Sequence, residues 1–547
     1  MGALNSRSII MTVDDDDDSS RIEDTSEDTD TMDSDSDSGE HFVTMLHNLI
    51  SSGQLLLQGA DDVDNSPFNS IRQKKPPTIK IKPDTTVLDK SNFSVITKQG
   101  CGLVDPLHKN MKTHNVAALL KTRQSGLYKH DNFSKTFRCK LANQYIPNEM
   151  TSLNVMGSGK MFCGIFSESG DTFVTASQDR MIGLYDSSTG FYKMQKRIKA
   201  RDVGWSIIDV ALSPKGDQFV YSTWSSSVHM CPVHSYSDHQ EPLTIATSSR
   251  RFCIFSVVYS SDGTELLCGA NDGCFYIYDI NRKERTLKIP AHKYDANRVE
   301  YDVNRVLFAD NSSHIIFSGA DDGLVKVWDR RILNDNDRSS KPVGLLAGHL
   351  DGITYIDSRG DGLHLISNSK DQSIKLWDLR SFSNESVVQE SLKAVKKQSW
   401  DYRWQMVPKG LYQYHKMQGD TSIMTYRGHM VSKTLIRARF SPAATTGQRY
   451  IYTGCGLGRV VIYDSLTGKI VMQKKGHMTC VRDVSWHPSR NEILSSSWDS
   501  LVGKWTFSTP DPWQTEKENP QAEALKPVRR SARIAAQRRR TGGRSNE

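Results

Sequence analysis

Gly319-Ala-Asp-Asp-Gly-Leu-Val-Lys-Val-Trp-Asp329 decides the fold, because the pattern returns along the chain. It holds a small-residue run, a turn built on aspartate, an alternating strand and a closing aromatic–Asp pair. Upstream it reads Ala176-Ser-Gln-Asp-Arg-Met-Ile-Gly-Leu-Tyr-Asp186 and Gly269-Ala-Asn-Asp-Gly-Cys-Phe-Tyr-Ile-Tyr-Asp279. Downstream it reads Asn368-Ser-Lys-Asp-Gln-Ser-Ile-Lys-Leu-Trp-Asp378, Gly454-Cys-Gly-Leu-Gly-Arg-Val-Val-Ile-Tyr-Asp464 and Ser496-Ser-Trp-Asp-Ser-Leu-Val-Gly-Lys-Trp505. A weaker copy, Ser222-Thr-Trp-Ser-Ser-Ser-Val-His-Met-Cys231, makes seven. Tyr278, Trp328 and Trp377 stand 50 and 49 residues apart, and Tyr463 and Trp505 stand 42 apart, which suits units of four strands. Trp377 to Tyr463 is 86 residues, so about half of that interval is an insertion, placed at 381–425.

One such unit exposes both faces of a small twisted sheet and cannot bury them alone. Stacked neighbours bury them, and a closed ring removes the unpaired edges. The expected fold is therefore all-β, a seven-bladed WD-repeat β-propeller over 150–507. Leu212-Ser-Pro214, Phe440-Ser-Pro442 and Trp486-His-Pro488 mark inner strands. The last blade stops at Trp505-Thr-Phe507 without a fourth strand, which Ser152–Met156 can supply. His349 with Asp371 and Trp377, His477 with Asp499 and Trp505, and His292 with Asp322 and Trp328 read as buried polar sets. An Asp–His pair also belongs to catalytic triads, but an enzyme needs one site and this pairing recurs blade after blade. Leu457 stands where the sixth blade would have its aspartate, so His429 lacks that partner.

The flanks differ in kind. Residues 1–40 carry fourteen carboxylates against Arg7 and Arg21, a net of −12, and 526–547 carry a net of +7. Like charges in blocks repel and cannot bury a core, so an acidic disordered tail (1–40) and a basic one (508–547) are expected. Within 41–58, Phe42, Met45, Leu46, Leu49 and Ile50 fall on one helical face. Two readings are open for that helix: docking on a partner through Phe42, Leu46, Leu49 and Ile50, or packing on its own propeller. Residues 59–149 read as a linker that partly wraps the main domain. Nine scattered cysteines without a C-x-x-C pair read as reduced, mostly buried thiols, with no zinc site expected. No apolar stretch approaches a membrane span. With no phosphate loop, metal cluster or nucleophile elbow, neither catalysis, a cofactor nor a small-molecule substrate is expected.

The sharper signal follows two closing pairs. Blade four continues Trp328-Asp329-Arg330-Arg331 and blade five Trp377-Asp378-Leu379-Arg380, whereas the other blades continue without arginine. Each arginine ends the third strand of its blade, opposite the aspartate turns. Arg331 and Arg380 therefore stand side by side on one rim, where guanidinium forks can meet acidic or carbonyl groups of a partner. The plainer reading, compatible with the first, is that each satisfies its own Asp329 or Asp378.

Ile316 to Arg331 resembles the sixteen-residue DWD box of WD-repeat substrate receptors of cullin-4 ubiquitin ligases. Leu365 to Arg380 is similar, except that Asn368 replaces a small residue. Lys199-Ala-Arg-Asp-Val-Gly-Trp205, Gly269-Ala-Asn-Asp-Gly-Cys274, Trp400-Asp-Tyr-Arg-Trp404 and Cys480-Val-Arg-Asp-Val-Ser-Trp-His-Pro488 carry a closer resemblance, over about 150–507. It is to the factor-eleven branch, whose plant members resemble embryo-abundant proteins. The resemblance implies a non-catalytic receptor that holds the damaged-DNA-binding adaptor, and through it the cullin-4 scaffold, and presents an unidentified target protein. Trp328, Asp329, Arg331, Trp377, Asp378 and Arg380 would then face the adaptor. A general scaffold or histone-reading propeller is the alternative.

The opposite face is expected to receive the target through Arg201, Trp205, Trp224, Arg482 and Trp498, exposed tryptophan and arginine being frequent anchors. Packing between blades is the competing reading for each. The insertion, with Lys393, Lys396, Lys397, Trp400, Tyr402, Arg403 and Trp404, reads as a loop tethered on the rim rather than a nucleic-acid site. Arg529, Arg530, Arg538, Arg539 and Arg540 form two basic clusters, read as a nuclear-import signal, which predicts residence in nucleus and cytoplasm.

Overall fold

Alternating apolar residues in short strands, punctuated by aspartate turns, give seven antiparallel sheets of four strands each. The computed structural model describes residues 83–104, 135–153, 159–235, 238–246, 252–294, 299–335, 340–413 and 416–509, with positions 120, 121 and 124. All lie in one compact unit, Arg72–Glu547. The sheets pack as a seven-bladed propeller, innermost strand beside innermost strand around a closed ring. Blade four is Val303–Phe308, Ile315–Ala320, Val325–Asp329 and Gly344–Leu346. Blade five is Ile353–Ser358, His364–Ser369, Ser373–Asp378 and Met424–Arg427. Both sides of the middle strands are buried, because each blade is sandwiched between two others.

The ring closes through Glu149–Leu153, which pairs with Val502–Thr506. The expected closing strand, Ser152–Met156, is thus displaced three residues towards the N-terminus, and 154–156 lie outside the described residues. In the observed register Met150 sits opposite Trp505 and packs against the apolar cluster that holds it. An odd shift would turn Met150 to the other side of the sheet and lose that contact.

The turn between second and third strands shows why aspartate recurs. The Asp322 carboxylate accepts the Leu324 N–H at 3.0 Å, and the Asp371 carboxylate accepts the Ser373 N–H at 2.9 Å. The intervening Gly323 has φ +76°, as does Gly458 in blade six, a conformation glycine adopts without steric cost. Beneath the turn a relay runs through the blade. Trp377 Nε1 donates to Ser367 Oγ at 2.7 Å, His349 Nε2 meets the same hydroxyl at 2.7 Å, and His349 Nδ1 meets Asp371 at 2.9 Å. Trp328–Ser318–His292–Asp322 and Trp505–Ser495–His477–Asp499 repeat it. The sequence pairing of His, Asp and Trp omitted the serine that joins them. In blade six, with no turn aspartate, His429 bonds Tyr463 at 3.0 Å and Asn368 of blade five at 2.9 Å. Asn368, the departure from the box pattern, is thus His429's substitute partner. Burial holds His429 at about 3, so its imidazole is neutral.

Two additions decorate the ring. The helices Asn92–Gly100 and Lys135–Ala142 seat against blades five to seven on the face where the aromatic–Asp pairs emerge. Phe93, fully buried, anchors the first against Phe440 and His364. The insertion joins the third and fourth strands of blade five and is not a plain rim loop. Met424 and Thr425 already belong to the fourth strand. After Ser383, whose N–H reaches Leu345 O, the helix Glu385–Lys396 climbs the outer side between blades four and five. Val387, Val388 and Ser391 point inward, and Ser391 Oγ donates to His349 O at 2.7 Å. The chain then crosses onto the turn face, where Trp400 Nε1 bonds Asp351 at 2.9 Å.

Candidate partner-binding faces

The third strand of blade four ends at Asp329, whose carboxylate caps the short 3₁₀ turn Arg330–Ile332. It accepts the Arg331 N–H at 3.1 Å, Nε at 2.9 Å and Nη2 at 2.6 Å. Blade five repeats this clasp: Asp378 accepts the Arg380 N–H at 3.0 Å, Nε at 2.9 Å and Nη2 at 2.5 Å. Hydrogen bonds from the Arg331 side chain and backbone hold Asp329 down at about 2. Burial of Asp378 opposes its ionisation, but the bonds from Arg380 outweigh it and lower that carboxyl too. The clasp leaves the guanidinium edge outward: the side chains of Arg331 and Arg380 are 62% and 48% exposed. Neither Nη1 has a hydrogen-bond partner among the described residues. The plainer sequence reading, an arginine on its own aspartate, and the displayed arginine thus hold together.

Trp328 and Trp377 need correction as partner-facing residues. Both are fully buried, their indole N–H groups spent on Ser318 and Ser367, so they hold the strand end from within and cannot touch a partner. Arg330, between the two motif residues, forks onto Glu265 of blade three at 2.5 and 2.8 Å, tying two blades together. Exposed Ile332 and Phe382 border the arginines, a feature the repeat pattern does not register. Of the two motif blades, blade five alone has support from the N-terminal helices among the described residues. The Phe93 and His364 rings pack edge to face with their centres 5.4 Å apart; His364 bonds Asp361 at 2.6 Å and lies 3.9 Å from Asp378.

On the turn face, Trp205 and Trp224 are 52% and 41% exposed, and the Arg201 side chain is exposed as well. Trp498 is half-buried, with its ring 5.8 Å from Phe162, and Trp205 meets the same Phe162 at 5.5 Å. Arg482 does not belong to this surface. It is buried in the channel, where its guanidinium donates to the Phe162 and Ile208 carbonyls. There Arg437 of blade six reaches Asp209 of blade two at 2.6 Å and Asp483 of blade seven at 3.0 Å. These charges cross-link the ring through its centre, and repeat periodicity cannot register pairs between blades so far apart in sequence.

The insertion brings a third Asp–Arg clasp to the turn face. Asp401 accepts the Arg403 N–H at 2.9 Å, Nε at 3.0 Å and Nη2 at 2.7 Å. Trp400-Asp-Tyr-Arg403 has the motif's spacing but no alternating strand before it, so the repeat did not count it. Tyr402 is pinned beneath, with the Lys370 ammonium 4.2 Å from its ring centre, and Trp404 and Met406 are exposed.

Phe42, Leu46, Leu49, Ile50, Arg529, Arg530, Arg538, Arg539 and Arg540 lie outside the described residues. All nine cysteines are unpaired and buried.

The family model "WD domain, G-beta repeat" matches residues 230–279, 286–329, 340–378 and 468–506. A DDB1- and CUL4-associated factor 11 homolog from Caenorhabditis elegans is 41% identical over 380 residues, 67% of this chain and 64% of that protein. Its counterpart from Caenorhabditis briggsae is 38% identical over 390 residues, 68% of this chain and 67% of that protein. A LEC14B homolog from Prunus armeniaca is 38% identical over 403 residues, 72% of this chain and 82% of that protein. The chain spans about two thirds of the nematode proteins it matches. Propeller, paired clasps and these identities converge: the chain belongs to the WD-repeat family of the DDB1- and CUL4-associated factor 11 homologs and the LEC14B proteins.

Proposed function

We propose that this protein is a non-catalytic substrate receptor of a cullin-4 RING ubiquitin ligase. One face holds the damaged-DNA-binding adaptor and the other presents a target protein. The observation that carries the reading is the pair of clasped, outward-facing arginines, Arg331 and Arg380, at the ends of equivalent strands in adjacent blades. Each clasp fixes the fork before binding, which lowers the ordering cost at an interface. A partner's carboxylates or carbonyls can then accept charge-assisted hydrogen bonds from the outer Nη groups. The names of the nematode relatives, which record association with DDB1 and CUL4, support the same assignment.

Affinity purification of the tagged full chain tests it. Adaptor and cullin are expected to co-purify with wild type and to be lost with Arg331→Ala/Arg380→Ala at unchanged thermal melting. A folded double variant that recovers adaptor at the wild-type level would leave the clasps as blade chemistry and favour a scaffold role. The protein is further proposed to work in nucleus and cytoplasm, imported through its C-terminal basic clusters. Replacing Arg538, Arg539 and Arg540 with alanine should move a fluorescent fusion towards the cytosol; undiminished nuclear signal would remove that assignment.

A further inference from the structure

The target-presenting role proposed above says nothing of what the turn face recognises, and the local chemistry narrows it. Lys160 opens blade one, and its ammonium stands 4.7 Å from the centre of the Trp498 ring. Trp498 N–H bonds Cys480 O at 2.9 Å, and Cys480 Sγ meets Ser432 O at 3.9 Å, which brings Lys433 to the neighbouring loop. Burial, then the nearby Lys433 charge, lowers the affinity of Lys160 for its proton. Among the described residues neither lysine has a carboxylate partner, although most other cations of the ring have one. Two half-buried ammonium groups without an acidic partner leave positive charge that an incoming anion can neutralise. Beside them runs the exposed aromatic surface of Trp205, joined to Trp498 through Phe162, with exposed Trp224 against the Gly204 backbone next to it.

We propose that this strip binds a short acidic–apolar peptide segment of the target, with carboxylates on Lys160 and Lys433 and a bulky apolar side chain against Trp498, Trp205 and Trp224. A single nucleic-acid strand also pairs charge with stacking, but its charge is continuous. Here the exposed Asp202 carboxylate stands on the same face, in the loop that carries Trp205, and it would repel a phosphate chain laid across it. A peptide can place its few acidic groups at the lysines alone.

The test is selection of a random dodecapeptide phage library on the full-length chain, with counter-selection on Lys160→Glu/Lys433→Glu. Enriched peptides are expected to join Asp or Glu to aromatic or aliphatic residues. As labelled synthetic peptides they should bind wild type roughly tenfold or more tighter than that variant or Lys160→Ala/Lys433→Ala, the loss of two charge-assisted contacts. Trp205→Ala should weaken them, while Arg331→Ala/Arg380→Ala should leave them unchanged. No enrichment, enrichment without acidic residues, equal affinity for the lysine variants, or displacement of the peptides by oligothymidylate would each overturn the proposal. Adaptor co-purification by the lysine variants separates this outcome from the ligase assignment: peptides without adaptor would sink the ligase, adaptor without peptides would sink this site.

Discussion

The arginine face and the turn face carry the same clasp in different settings. At Asp329–Arg331, Asp378–Arg380 and Asp401–Arg403, one carboxylate takes the backbone N–H, Nε and Nη2 of the arginine two residues on, at closely matched distances. Two copies end blade strands over a buried Trp–Ser–His–Asp relay. The third rides on an insertion, its tryptophan bonded to Asp351 in place of a serine. The clasp is therefore a local product of Asp-x-Arg, and its presence alone says little about function. Only the strand-end pair is set side by side by the ring, and that juxtaposition gives a partner two fixed forks at once.

The widest separation is expected in adaptor capture. Each rim arginine should contribute about 2 kcal/mol at the interface, roughly thirtyfold in affinity. Arg331→Ala/Arg380→Ala should cost on the order of a thousandfold if the two add. Arg403→Ala should leave capture intact. Equal loss from Arg403→Ala, measured by quantitative co-purification, would erase the distinction between the faces.

The two rim copies can themselves be told apart. Asp378 has His364 and Phe93 behind it, whereas Asp329 has no such support among the described residues. Phe93→Ala empties a fully buried site and should destabilise by about 3 kcal/mol. It should weaken adaptor capture through Arg380 more than through Arg331, so its effect should shrink in an Arg380→Ala background. Additive effects in that cycle would show that the helix stabilises the fold without steering the clasp.

A smaller change is expected from the relay beneath. Asp371→Ala strands His349 and should cost about 1–3 kcal/mol in denaturant titration, with adaptor binding following only the folded fraction. Loss of binding at an unchanged midpoint would give Asp371 a direct role. The last comparison concerns acid. His429 is neutral in the folded chain, at about 3 against an ordinary value near 6.5. Its folded value is depressed, so its contribution is present above pH 6.5 and is lost as pH falls towards 3. His429→Gln should make the decline of melting temperature between pH 6.5 and 4 shallower. An unchanged slope would place the acid sensitivity elsewhere.

The propeller was legible because each blade restates one pattern, and a blade that cannot bury its own faces implies its neighbours. The closing strand was harder: the segment was legible, but its register rests on Met150 packing against Trp505, a contact between opposite ends of the ring. The rim arginines were legible because spacing from the closing tryptophan sets where a strand ends. Burial was not. Arg482 reads from its neighbours as a surface residue and lies in the channel, and Trp328 and Trp377 read as partner contacts and lie in the core.

By itself the sequence determined what is local and periodic: seven repeats, five of them with an aspartate turn, four-strand units, and the Asp–Arg clasps, whose partners sit two residues apart. Tertiary structure alone decided which arginine is turned inward and that Asn368 answers His429 across a blade boundary. The physical reason is that these are relations between segments 61 to 320 residues apart. No periodicity encodes such pairs; they follow from closing the ring.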